Sequence, residues 1–121
     1  MPKKVLHLTV LGQIPSKKNS RVSAGRFTVA GPRYRAWEES AGFQLLAHQG
    51  KMLSGIDAQL EFWMPDNRAR DLDNMVTSVF DMLKRSKIIK DDSWQCIPAF
   101  YARAAGIDKE RPRCEIWLIL I

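Results

Sequence analysis

At 121 residues, 45% of them apolar and 26% charged, the chain holds enough apolar sequence for one packed core, which excludes a long disordered tract. One domain spanning residues 1–121 is expected. Nineteen Lys and Arg against thirteen Asp and Glu give a formal charge of +6 and a pI near 9.6, which favours a polyanionic partner without identifying one.

Lys4–Leu11 alternates and is rich in Val and Leu, so a strand is expected there. Its apolar run is short, interrupted by His7 and followed by no cleavage site, which argues against a signal peptide. Residues 12–31 carry Gly12, Pro15, Asn19, Ser20, Gly25 and Gly31 and read as a long polar loop with an extended piece at Arg26–Val29. Pro32 suits the first turn of a helix. Trp37, Ala41, Leu45 (or Gln44) and His48 follow at helical spacing, and Gly50 is a stop. Ile56–Met64 alternates as a strand ended by Pro65, and residues 65–70, PDNRAR, form a basic loop. A second helix opens at Asp71 or Asp73 and runs to about Lys87, with an apolar stripe of Met75, Val76, Val79, Met82 and Leu83. Trp94–Arg103 and Arg113–Ile121 are predicted strands around a polar loop at 105–112. The order β-α-β-α-β-β points to an α/β (α+β) domain, a mixed sheet of about four strands packed by two helices.

Cys96 and Cys114 show no zinc spacing and point to a reducing cytoplasm rather than a disulfide. No stretch approaches the roughly 20 apolar residues of a membrane helix. A cytoplasmic protein with no membrane partner is the expectation.

The charge is unevenly distributed. Residues 1–37 hold Lys3, Lys4, Lys17, Lys18, Arg21, Arg26, Arg33 and Arg35 and no acid before Glu38. The acids cluster at 66–92 instead, flanked by basic residues. That pattern suits a surface that grips phosphate around a pocket that holds a cation. A solvated basic surface is the competing explanation.

The run RDLDNMVTSVFDMLKRSKIIKDD, residues 70–92, places Asp71, Asp73, Asp81, Asp91 and Asp92 around the second helix. On a helical wheel Asp73, Thr77 and Asp81 fall at about 0°, 40° and 80°, off the apolar stripe. Carboxylates held close together repel, so a cluster of them is costly unless a cation neutralises it. Oxygen donors without His or Cys suit Mg²⁺, with Mn²⁺ as a substitute. Such an ion would activate water and neutralise charge in phosphodiester hydrolysis. Simpler roles stay open: Asp71 and Asp73 as helix caps, Asp81 as a partner for Arg85, Asp91-Asp92 as a turn.

The D-L-D-N run with Asp81, Leu83 and the I-x-D-D of Ile89–Asp92 resembles the RusA-type Holliday junction resolvases. The loop I-P-S-K-K-N-S at 14–20 and W-M-P-D-N-R-A-R at 63–70 match the same family in order. The resemblance implies a Mg²⁺-dependent endonuclease that acts on four-way DNA junctions as a homodimer, of bacterial or phage origin. It implies catalytic, metal-binding roles for Asp71, Asp73 and Asp92. Asp81, Asp91, Asn74 and Lys90 are additional site candidates. Lys17, Lys18, Arg21, Arg26, Arg68 and Arg70 are candidates for phosphate contact. Trp63 and Trp94 are candidates for stacking on a base or, as strand residues, for the core. Trp37 and Trp117 are expected in the core. One departure is plain. The family pattern has lysine four residues after the second aspartate, and this chain has Thr77. A catalytically weak or inactive junction-binding protein is therefore the alternative, and an unrelated basic interaction module is a third reading.

Overall fold

The computed structural model describes residues 4–15, 21–24 and 27–121, with residues 21–24 and 27–30 described by their backbone. Alternation builds β1 (Val5–Leu11), β4 (Ile56–Met64), β5 (Ala99–Ile107) and β6 (Arg113–Leu120) into one mixed sheet in the order β1-β6-β4-β5. β6 runs antiparallel to β1 and β4, and β4 runs parallel to β5. The expected mixed four-stranded sheet with two helices is therefore present.

The extended piece expected at Arg26–Val29 is present as a strand from Phe27 on, but the rest of the long-loop reading of 12–31 is corrected. A hairpin of β2 (Arg21–Ala24) and β3 (Phe27–Ala30) forms a separate two-stranded sheet within it. Four-residue strands leave too short an alternation to register as periodicity. The last strands are shifted too. Residues 93–97 are a turn closed by the Cys96 and Ile97 N–H groups donating to the Ser93 carbonyl at 3.0 and 2.8 Å. β5 starts only after Pro98 and continues through Gly106 into the predicted loop. It can do so because a bulge opposite Phe62/Trp63 brings Gly106 against Trp63. A Cβ at Gly106 would lie 3.1 Å from the Trp63 ring.

Both helices pack on one sheet face. Ile56, Ala58, Leu60 and Phe62 of β4 and Cys114, Ile116 and Leu118 of β6 point into this core. Helix α1 (Pro32–Gln44) contributes Tyr34, Trp37 and Ala41 and is followed by a 3₁₀ turn at Leu46–His48. Helix α2 (Leu72–Arg85) buries its whole predicted stripe, Met75, Val76, Val79, Met82 and Leu83. Each such side chain contributes about 1.5–3 kcal/mol relative to exposure.

The C-terminus of α2 turns sharply. The Ile88 N–H donates to the Leu83 carbonyl and the Lys87 N–H to the Lys84 carbonyl, both at 3.0 Å, with Lys87 at φ +56°. This is a Schellman motif with lysine where glycine is usual, closed by the buried pair Leu83 and Ile88. Residues 88–90 are then tied to Leu53 by two backbone bonds of 2.8 Å.

The other sheet face is open and polar. Glu61 and Glu115 lie directly opposite each other, an unfavourable like-charge pairing. Each is offset by its own partners. Arg103 bonds Glu61. Thr9 Oγ donates to Glu115 at 2.9 Å, Arg113 Nε donates at 3.1 Å, and His7 Nε2 lies 2.5 Å away. Trp117, expected in the core, lies on this face instead, stacked on His7 at 4.7 Å, because its register opposite His7 points it away from the helices.

The buried Ser78 hydroxyl of α2 lies 2.9 Å from the Pro15 carbonyl and ties the loop after β1 to the helix. Ser78→Ala leaves that carbonyl without this donor and should cost about 1–2 kcal/mol in urea unfolding. Burial raises the Glu115 pKa, but the bonds from Thr9, His7 and Arg113 outweigh it and hold the carboxyl below the usual glutamate range. A folded pKa below the unfolded one gives stability that is complete above the unfolded value and lost as pH falls through the folded value. Glu115→Gln should therefore be less stable than wild type near neutral pH, with the gap closing as pH falls through the folded value in denaturant titrations.

Candidate active site

The β4–α2 connection carries the first acids. Asp66 accepts from the Arg68 N–H at 2.9 Å and pairs with Arg70 at 2.8 Å. The Arg68 N–H and then Arg70 hold the Asp66 carboxyl below the usual range. Arg70 also reaches the Arg68 carbonyl at 3.2 Å, and its side chain is only 15% exposed. Its charge therefore braces this loop, which differs from the solvent-facing cation expected of a phosphate contact. Arg68 is exposed.

Asp71 occupies the N-cap position of α2 but makes no side-chain cap bond. The Asn74 side-chain amide donates to Asp71 Oδ2 at 3.1 Å, and the Asn74 N–H donates to Asp73 Oδ1 at 2.9 Å. Asn74 thus fixes both carboxylates at the helix start, where the helix dipole favours negative charge. Both acids are exposed. Thr77, one turn on, donates its hydroxyl to the Asp73 carbonyl at 3.1 Å and presents no cation.

Asp91 and Asp92 lie at the other end of α2. Lys84 Nζ is 3.2 Å from Asp91 Oδ1 and 3.9 Å from Asp92 Oδ1. The Asp92 N–H donates to Asp91 Oδ1 at 2.9 Å, and this bond and Lys84 together hold Asp91 below the usual aspartate range. The half-buried Asp81 acts electrostatically on Lys84 and on Tyr34. Arg85 pairs with Glu38 of α1 at 3.1 Å. Lys90 is exposed, and its N–H is used by Leu53.

Residues 71 and 84 are about 20 Å apart along the helix at 1.5 Å per residue. The sequence reading brought Asp71, Asp73 and Asp92 to one point, and one chain does not do this. Among the described residues, no three of His, Cys, Asp and Glu stand together as a metal-holding group. The helical wheel gives the angle of each acid but not its height, and the Schellman turn keeps Asp92 beside Lys84. The donor chemistry still fits Mg²⁺: exposed hard oxygens with room for the ion's waters.

Lys17, Lys18 and Arg26 lie outside the described residues, and Arg21 is described only as β2 backbone. Trp94 is not a core residue: it sits in the turn after Asp92 and is 76% exposed. Trp63 is half-buried under the Arg113 guanidinium at 5.0 Å. Sequence reasoning also missed an apolar groove between α2 and β5, formed by Leu72, Val76, Phe80, Phe100 and Ala102 beside Asp73 and Thr77. Phe80 and Phe100 meet edge to face at 5.2 Å, and Phe100 is 54% exposed. β5 is an edge strand of the sheet. Among the described residues no helix is long and apolar enough to cross a membrane.

Comparison with known proteins agrees with the resemblance read from the D-L-D-N run. The family model for endodeoxyribonuclease RusA matches residues 12–118. A crossover junction endodeoxyribonuclease RusA of Aquifex aeolicus (strain VF5) is 29% identical over 87 residues, which is 69% of each chain. β4, β5 and most of β6, both helices and all five aspartates of the 71–92 segment fall inside the family match, so the chain belongs to the RusA endodeoxyribonuclease family.

Proposed function

We propose that this chain is a divalent-metal-dependent endonuclease that resolves four-way DNA junctions as a homodimer. Family membership supports junction cleavage, and the relative from Aquifex carries that activity in its name. The observation that carries the finer reading is the division of the acids. Asp71 and Asp73 are displayed at one end of α2, and Asp92 is displayed at the other.

A two-fold partner reunites them. Pairing the β5 edge antiparallel with the partner's β5 would set the two α2 helices side by side in opposite directions. The segment before the partner's β5, with the partner's Asp92, would then stand by Asp71 and Asp73. The same approach covers the Phe80–Phe100 groove and the free edge of β5. Each composite site would hold Mg²⁺, or Mn²⁺ in its place, through Asp71 and Asp73 of one chain and the partner's Asp92. When bound, the ion supplies Lewis acidity for phosphodiester hydrolysis. Asn74 orients the two N-terminal carboxylates. Arg68, Lys17, Lys18, Arg21 and Arg26 are the proposed phosphate contacts. Trp94 is placed in sequence to stack on an unpaired base. Two sites related by a two-fold axis match a junction with two-fold symmetry.

A second reading is a weak or inactive junction binder, and Thr77 motivates it. Thr77→Lys separates the two readings. A large gain in cutting indicates a handicapped enzyme, and no cutting in either form indicates a binder.

The direct test is Asp73→Asn on a synthetic four-way junction with Mg²⁺. Symmetric paired nicks should fall at least about 10²-fold, by analogy with loss of a charge-stabilising group. Junction affinity in a gel-shift assay should stay near wild type. A variant that cuts at the wild-type rate would refute the assigned site.

A further inference from the structure

We propose that Lys84 is a counter-cation built into the site: it holds the Asp91–Asp92 turn before metal binds, then turns its ammonium to the DNA phosphate. This rests on the nuclease reading above and adds a residue to it. Hydrolysis of a phosphodiester gathers negative charge on the phosphoryl oxygens, and a fixed cation beside them lowers the barrier. The first turns of α2 supply none. Thr77 is neutral and bonded to the Asp73 carbonyl, and the Arg70 guanidinium is folded onto its own loop.

Lys84 is the cation joined directly to the acids at the other end. Its two contacts are unequal, 3.2 Å to Asp91 and 3.9 Å to Asp92. The closer one anchors the turn, and the looser one leaves Asp92 available as a ligand. The Lys84 side chain is 51% exposed, so its ammonium is open to solvent and to an approaching backbone. A lysine stem of four flexible carbons with three rotatable donors can keep Asp91 while giving up Asp92. In the dimer Lys84 arrives with Asp92 beside the partner's Asp73 and Thr77, where the first turns of α2 carry no positive side chain. The bond changes of hydrolysis are untouched: water oxygen joins phosphorus, the phosphorus–oxygen bond to the leaving sugar breaks, and Lys84 only neutralises charge.

The claim makes opposite predictions for metal and for rate. In the full-length protein without DNA, Lys84→Met should bind Mn²⁺ about tenfold more tightly by calorimetry, since a competing positive charge near 4 Å is gone. On a four-way junction at saturating Mn²⁺, the same variant should cut about 10²-fold more slowly in single turnover. Its junction affinity in Ca²⁺ should stay within about threefold of wild type, since one phosphate contact among several is at stake. Lys84→Arg should restore most of the rate. Unchanged Mn²⁺ affinity in Lys84→Met would overturn the counter-cation. Tighter Mn²⁺ with an unchanged rate would overturn the contact with phosphate. A wild-type protein that binds Mn²⁺ but never cuts would instead refute the nuclease reading, and the Mn²⁺ comparison would still decide whether Lys84 competes with the ion.

Discussion

Helix α2 is pinned to the sheet by its buried stripe, Met75, Val76, Val79, Met82 and Leu83, and this one packing decision fixes where the carboxylates stand. Rotation about the helix axis is settled by the stripe, so Asp73 and Thr77 must face outward. Translation is settled too, because the Asn74-braced start and the Schellman turn at Leu83–Ile88 mark the two ends. The helix then acts as a spacer of about 20 Å between the two groups of acids.

That spacing has an electrostatic logic. Three carboxylates gathered in one chain without a cation would repel, and folding would bear that cost. Divided between the ends of α2, each group finds a local partner instead. Asp71 and Asp73 take donors from Asn74, and Asp91 and Asp92 share Lys84. On the proposed reading, the metal set would form only when two chains meet, and the nuclease would be inert until it is assembled. That suits an enzyme whose substrate calls for two paired cuts.

Much of this fold was legible in the sequence. The strand at Ile56–Met64 has four alternating core positions and was read at its observed bounds. All five residues of the predicted α2 stripe are buried because they share one face, and Phe80 joins them. The failures were local. β5, with the sequence AFYARAAGI, is rich in small residues and passes through a glycine, so it lacked the contrast that marks an alternating strand. Of the hairpin, β3 was legible as the extended piece at Arg26–Val29, whereas its partner Arg21–Ala24 was hidden by the turn-rich composition around it. Trp94 was drawn into a strand by its apolar character, when the turn at Ser93–Ile97 holds it in solvent.

The candidate site was legible as chemistry and not as geometry. Aspartates at 71, 73 and 92 announced hard oxygen donors on a basic chain. Their distribution over two ends of a helix depends on the loop that follows it, and sequence spacing does not encode the direction of a turn. The central claim is that acids from two chains complete one site, and mixed dimers test it directly. Asp73→Asn and Asp92→Asn proteins, each inactive alone, would be unfolded together, refolded and assayed on a four-way junction. Sites shared between chains predict recovery of single nicks, because one of the two sites in each mixed dimer has every carboxylate intact. A mixture as dead as its components would contradict the account.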